Sequence, residues 1–131
     1  MPKRKTITAD TMLALGRAMP SVEESTMYGE PALKLGGQMF ACVPSQKSAE
    51  PNSLVIRMDV GRRDELIAAD PWTYYLKDHY LAYPCVLVRL DRLDEAMLRD
   101  LLLMGRRHVA SRPRRARRLV RQRAMRPVRA R

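Results

Sequence analysis

The sequence predicts an α+β fold: an antiparallel β-sheet with helices packed mainly on one face, followed by a basic C-terminal extension. Three observations carry that prediction. Gly36-Gly37 separates two short apolar runs, 32–35 and 39–43, which is a strong two-residue hairpin signal. Residues 53–58 and 85–90 are apolar runs of strand length, interrupted by Arg57 and Arg89 respectively. After Asp94, the residues Met97, Leu98, Leu101, Leu102 and Val109 recur at helical spacing. Strands that pair as hairpins, flanked by helices with one apolar stripe, bury both sets of apolar residues by stacking as two layers.

The remaining elements follow in chain order. Thr8 is an N-cap, Met12, Leu15 and Met19 form one helical face, and Pro20 ends the helix, which gives a helix over 9–19. A short run at Thr26, Met27 and Tyr28 leads to a turn-like break at Gly29-Glu30-Pro31. Residues 44–52 are polar, contain two prolines, and read as a loop. A short helix over 62–69 is closed by Asp70-Pro71, because a residue before proline disfavours the helical region. Residues 72–84 read as irregular and aromatic. The last helix runs from its Asp94 cap to about Ala110. Gly105 lies inside it and should weaken it by roughly 1 kcal/mol relative to Ala.

Charge divides the chain. The last twenty-six residues, 106–131, hold twelve Arg, no Lys and no acid, whereas residues 1–105 hold 13 basic and 14 acidic side chains. The sequence therefore reads as a near-neutral domain over 1–110 and an Arg-rich tail over 111–131. Pro113 separates the tail from the last helix, and like-charge pairs such as Arg114/Arg118 and Arg117/Arg121 oppose helix formation. Free in water the tail is expected to be largely disordered, and helical where a polyanion neutralises it. No run approaches the ~18 apolar residues of a membrane span. Asp10 interrupts the only signal-like start, so a cytoplasmic protein is expected. Cys42 and Cys85 sit in apolar runs and read as buried thiols, although a disulfide between neighbouring strands would also fit an oxidising compartment. With no CxxC and no paired His/Cys spacing, neither a metal site nor a cofactor is expected.

The order of motifs resembles the MmcQ/YjbR family of small bacterial proteins. The resemblance rests on Met19-Pro20-Ser21-Val22-Glu23-Glu24, on Tyr28-Gly29-Glu30-Pro31-Ala32, and on Ser53-Leu54-Val55-Ile56-Arg57-Met58-Asp59. It continues through 63–71, which ends Ala-Ala-Asp-Pro, to the most specific stretch, His79-Tyr80-Leu81-Ala82-Tyr83-Pro84-Cys85-Val86-Leu87-Val88-Arg89-Leu90. The resemblance spans about residues 14–110. It implies a fold related to the frataxin (CyaY-like) type and a DNA-binding role, and it brings no enzymatic activity with it. Two features depart from the family pattern. Met104-Gly105 stands where family helices often carry an aromatic, and the Arg-rich extension is not part of the shared domain.

The candidate functional residues fall into two sets. For nucleic acid, with DNA the first expectation, the domain offers Arg57, Lys77, His79 and Arg89. The end of the chain adds Arg106, Arg107, Arg112, Arg114, Arg115, Arg117, Arg118, Arg121 and Arg123. Arginine presents a planar fork that matches phosphate oxygens and stacks on bases. Five of the seven aromatics lie between Trp72 and Tyr83, where they would either stack on bases or pin the segment to the sheet by ring burial. Arg57 and Arg89, with Lys34, would form an anion site if they reached one patch of the open face. The second set is a ligand pocket at Tyr28, His79, Tyr80 and Tyr83. Imidazole titrates near neutrality, so His79 is the best acid–base candidate, with Glu23, Glu24 and Glu30 as conceivable orienting partners. His108 opens into the Arg run and is expected to face solvent. No phosphate-binding Gly loop, GxSxG or HExxH motif is present. The expectation is thus a non-enzymatic nucleic-acid-binding protein. The alternative is a small-ligand, metabolite-binding or protein-interaction domain with no DNA role.

Overall fold

The computed structural model describes residues 7–111. Among them are three helices and a six-stranded antiparallel sheet of order β1-β2-β3-β4-β6-β5, the predicted α+β architecture. Helix α1 (Ala9–Arg17) starts at Thr8, whose backbone N–H donates to Thr11 Oγ1 (3.1 Å). It stops two residues short of the position that Pro20 predicts, because the Ala18 and Met19 N–H groups reach back only three residues, to the Leu15 and Gly16 carbonyls (3.2 and 3.0 Å). Strands β2 (Glu30–Leu35) and β3 (Gln38–Cys42) form the expected hairpin. Gly36 and Gly37 sit at φ 59° and 82°, the pair of positive values that a tight primed turn requires.

Two strands were not legible in the sequence. Strand β1 (Val22–Met27) is an edge strand whose polar, charged residues hide its period, and it pairs with β2 from Val22↔Leu35 to Met27↔Glu30. The predicted break at Gly29-Glu30-Pro31 is instead a turn at Tyr28 (φ 54°) and Gly29 (φ 84°), with Glu30 and Pro31 already inside β2. Strand β5 (Tyr74–Tyr75) is only two residues long and lies within the segment expected to be irregular. Strands β4 (Ser53–Arg57) and β6 (Cys85–Arg89) pair along their whole length at the centre of the sheet. Helix α2 (Val60–Ala69) is capped by Asp59, which accepts from Gly61 N (3.0 Å). Helix α3 (Glu95–Ala110) is capped by Asp94, which accepts from Met97 N (2.8 Å).

Strand alternation sorts the side chains into two layers. Leu33, Leu54, Ile56, Val86 and Val88 face the helices and form the main core with Met12, Leu98, Leu101, Leu102 and Val109. A bulge between Leu33/Lys34 and their partners lets both Phe40 and Ala41 turn toward that core. Gly105 corrects the expectation of a simple helix weakener. A Cβ there would lie 3.0 Å from the Phe40 carbonyl oxygen and 3.2 Å from that of Arg57, so the missing side chain is what lets α3 lie on β3 and β4. Among the described residues, the opposite face has no α-helix. A smaller cluster of Ala32, Cys42, Val55, Tyr75, Tyr80, Cys85 and Leu87 lies there, bordered by the 44–52 loop and a 3₁₀ turn at Asp78–Tyr80.

Candidate functional site

The helix-free face holds a cleft of about 490 Å³. Its floor is built by the strands: Met39 and Cys42 from β3, which the bulge puts on one face, Val55 and Arg57 from β4, and Cys85 from β6. Its walls come from connections, namely Met27 and Tyr28 at the β1–β2 turn, residues 43–46 after β3, and His79, Tyr80, Tyr83 and Pro84 before β6. Arg63, buried on α2, fixes this last wall by donating Nη1 to the Tyr83 carbonyl (3.1 Å), while its Nε engages Asp64 (3.1 Å). Met58 N also donates to the Pro84 carbonyl (2.9 Å).

Within the cleft, the Gln46 side-chain amide donates to His79 Nδ1 (3.3 Å). The imidazole stands edge-on to Tyr80, with ring centres 4.9 Å apart, and lies 6.1 Å from the Tyr83 ring. Arg57, a lining residue of the cleft, donates Nη1 to the Met39 carbonyl (3.4 Å). Burial pushes the Cys42 thiol up to about 12, helped by the neighbouring Cys85 and Glu30. It pushes Cys85 up to about 11 against the opposing pull of Arg57 and Arg63. Both thiols are free, and β4 lies between their strands. Two strand spacings amount to about 10 Å, beyond the Cα separation that a disulfide spans. The disulfide alternative is thereby excluded.

A second cluster occupies the other end of the same face. Arg89 makes a two-point ion pair with Glu50 (2.8 and 2.7 Å), donates to the Pro71 and Trp72 carbonyls (3.1 and 3.0 Å), and lies over the Tyr75 ring at 4.2 Å. The Tyr75 hydroxyl accepts from Glu50 N (2.9 Å) and pairs with Ser53 Oγ (2.6 Å). Lys77 Nζ is 5.9 Å from the same ring. The hydrogen bonds from Arg89 hold the Glu50 carboxyl below its ordinary value.

The sequence-predicted residues are thus divided. Arg57 and Arg89 share a face but not a patch. Ser53 is opposite Arg89 and Arg57 is opposite Cys85, so four ladder steps, about 14 Å, separate them. Arg57 and His79 belong to the cleft with Tyr28, Tyr80 and Tyr83, whereas Lys77 and Arg89 belong to the Glu50 cluster. His79 takes an amide partner, not one of the conceivable carboxylates; Glu24 pairs with Arg17. Tyr74, Tyr75 and Tyr80 are buried, so ring burial accounts for most of the aromatic segment, with Trp72 and Tyr83 exposed. His108 is half-buried on α3, not solvent-facing as expected. Arg106 Nη2 donates to the Pro20 carbonyl (2.7 Å), and Arg107 is exposed in the last turn. Arg112, Arg114, Arg115, Arg117, Arg118, Arg121 and Arg123, with the expectations for the tail's structure, lie outside the described residues. Sequence reasoning missed Gln46, Met27, Met39 and Arg63. Gln46 lies in a polar loop and Arg63 in a short helix, and no local pattern marks either as part of a site.

The YjbR family model matches residues 17–107, which include all six strands and every residue of the cleft. This chain belongs to the YjbR family. The match takes in only Arg106 and Arg107 of the twelve C-terminal arginines, so the charge-bearing end falls almost wholly beyond the YjbR region. A crystal structure of the Deinococcus radiodurans protein DR2400, a DUF419-domain protein, has the same fold. The TM-score is 0.68 at 21% identity, over 87% of this chain and 88% of that one. No curated protein matches the chain. Among the described residues, no helix is long and apolar enough to cross a membrane.

Proposed function

We propose that this YjbR-family chain is a non-enzymatic nucleic-acid-binding protein, with duplex DNA its expected partner and its phosphate affinity located in residues 106–131. One observation carries the reading: twelve arginines without an acid follow a domain whose 13 basic and 14 acidic side chains cancel. Such a segment attracts any polyanion, and the guanidinium fork favours phosphate oxygens. The arrangement of the domain supports this division of labour. Arg89 is engaged by Glu50 and two carbonyls, so it has little to offer a phosphate. The further contacts expected of the domain would come from Arg57, Lys77 and His79, which orient rather than supply the affinity.

The test is duplex DNA binding across a salt series, for the full chain and for a chain ending at Ser111. If roughly six arginines neutralise phosphates, log K falls against log salt with a slope near −5. The shortened chain should lose nearly all affinity at low salt. Absence of binding by the full chain at low salt, or equal binding by both chains, would overturn the proposal.

A further inference from the structure

The geometry points to a second site: we propose that the cleft binds an uncharged planar aromatic molecule with a carbonyl on its edge, the ring stacked on Tyr28 and the carbonyl hydrogen-bonded to His79. Tyr28 and Gly29 are the two residues of the β1–β2 turn, at φ 54° and 84°, between the paired Met27 and Glu30. The β2–β3 turn has nearly the same angles, 59° and 82°, and fills both places with glycine. Such a primed turn favours Asn or Gly at its first place, and a bulky side chain there holds the backbone in a region that L-residues avoid. Burial does not offset this cost, since Tyr28 is 85% exposed, yet it lines the cleft. Strain kept at an exposed ring that borders a cavity points to a binding role.

The rest of the cleft narrows the guest. Its volume, about 490 Å³, falls within the roughly 300–1,000 Å³ of small-molecule sites. Met27, Met39, Val55 and Pro84 supply apolar lining, and methionine adapts to the outline of a ring and meets its edge through sulfur. Tyr83, 54% exposed, adds a second aromatic ring beside His79, with 6.1 Å between the ring centres. A flat π-face gains most from such neighbours. The polar contact comes from His79. The Gln46 amide donates to its Nδ1 (3.3 Å), so in the neutral imidazole the proton sits on Nε2, which is then a donor. A donor calls for an acceptor on the guest, and a carbonyl on the ring's edge supplies one without adding charge. Stacking and one hydrogen bond call for no net charge on the guest.

An uncharged probe avoids simple ion attraction to the Arg-rich segment. We would titrate the isotope-labelled full chain with isoquinolone and, separately, with its perhydro analogue, which keeps the lactam but lacks the aromatic face, following backbone amide resonances. The expected result is saturable shifts at Tyr28, Val55 and His79 with isoquinolone, about tenfold tighter than with the analogue. Tyr28→Asn should weaken isoquinolone binding about tenfold while leaving the melting temperature equal or higher, because Asn suits the turn. His79→Phe, which keeps a ring and removes the donor, should weaken it about fivefold. No cleft shifts at millimolar isoquinolone, shifts only at residues 106–131, or equal affinity for the two probes would each overturn the site. So would a Tyr28→Asn or His79→Phe chain that folds and keeps the parent's affinity. The comparison of probes needs no variant, so it decides the matter even where a substitution fails to fold. None of these outcomes bears on DNA binding, which the salt series tests separately.

Discussion

Arg57 and Arg89 look alike in the sequence, each a lone cation at the polar end of an apolar strand, yet their surroundings give them different work. Arg89 meets Glu50 of the 44–52 loop and becomes a clamp between β6, that loop and the Pro71-Trp72 backbone. Arg57 meets a carbonyl and a cleft. The clamp has a pH signature. Glu50 is held below its ordinary value of 4.5 by Arg89, and Asp70 below 3.8 by the Thr73 hydroxyl, which donates to it at 2.7 Å. Carboxyls depressed in the folded state stabilise it above their unfolded values, and that stabilisation is lost as pH falls through the folded ones. Stability should therefore decline below about pH 4.5. An NMR titration should put the Glu50 midpoint below 4.5 in the native chain, and Arg89→Gln should return it toward that value. The thiols give a second residue-scale prediction. With Cys42 near 12 against an ordinary 9.0, its thiolate population at pH 8 is lowered about a thousandfold. Alkylation by iodoacetamide should be nearly absent in the native chain and fast once it is denatured.

At the scale of elements, helices with caps and strands with uninterrupted apolar runs were legible. Asp94, the Leu98-to-Val109 stripe, the Gly36-Gly37 turn and the two central strands all lie where their local chemistry places them. Strand β1 was not legible, since an edge strand with Glu23, Glu24 and Thr26 exposed shows little apolar alternation, and its existence depends on pairing with β2. Gly105 shows the same limit from the other side. Helix propensity alone makes Gly105→Ala a stabilising change of about 1 kcal/mol. The Phe40 and Arg57 carbonyls at 3.0 and 3.2 Å from the new Cβ are backbone atoms that cannot swing aside. Gly105→Ala should therefore lower stability by about 1–3 kcal/mol, measured by urea unfolding, as α3 is pushed off the sheet.

Among the described residues, the two buried clusters that hold the sheet and helices together run from Ile7 to Val109. A chain ending at Ser111 should thus keep the melting temperature of the full protein while losing ten of its twelve C-terminal arginines. A large fall in melting temperature would mean that the Arg-rich segment contributes to the fold.

By itself the sequence determined the fold class, the central hairpin and strands, the caps, the resemblance to the YjbR family and the partition of charge. Each of these depends on composition or on neighbours a few residues apart along the chain. Tertiary structure alone decided that Arg57 joins His79, Tyr28 and Tyr83 in a cleft while Arg89 is locked to Glu50. It also decided that the two cysteines stand on strands separated by β4, and that Gly105 is a contact surface. Those outcomes depend on register between strands far apart in sequence, where one step along a ladder changes a side chain's face and its partner.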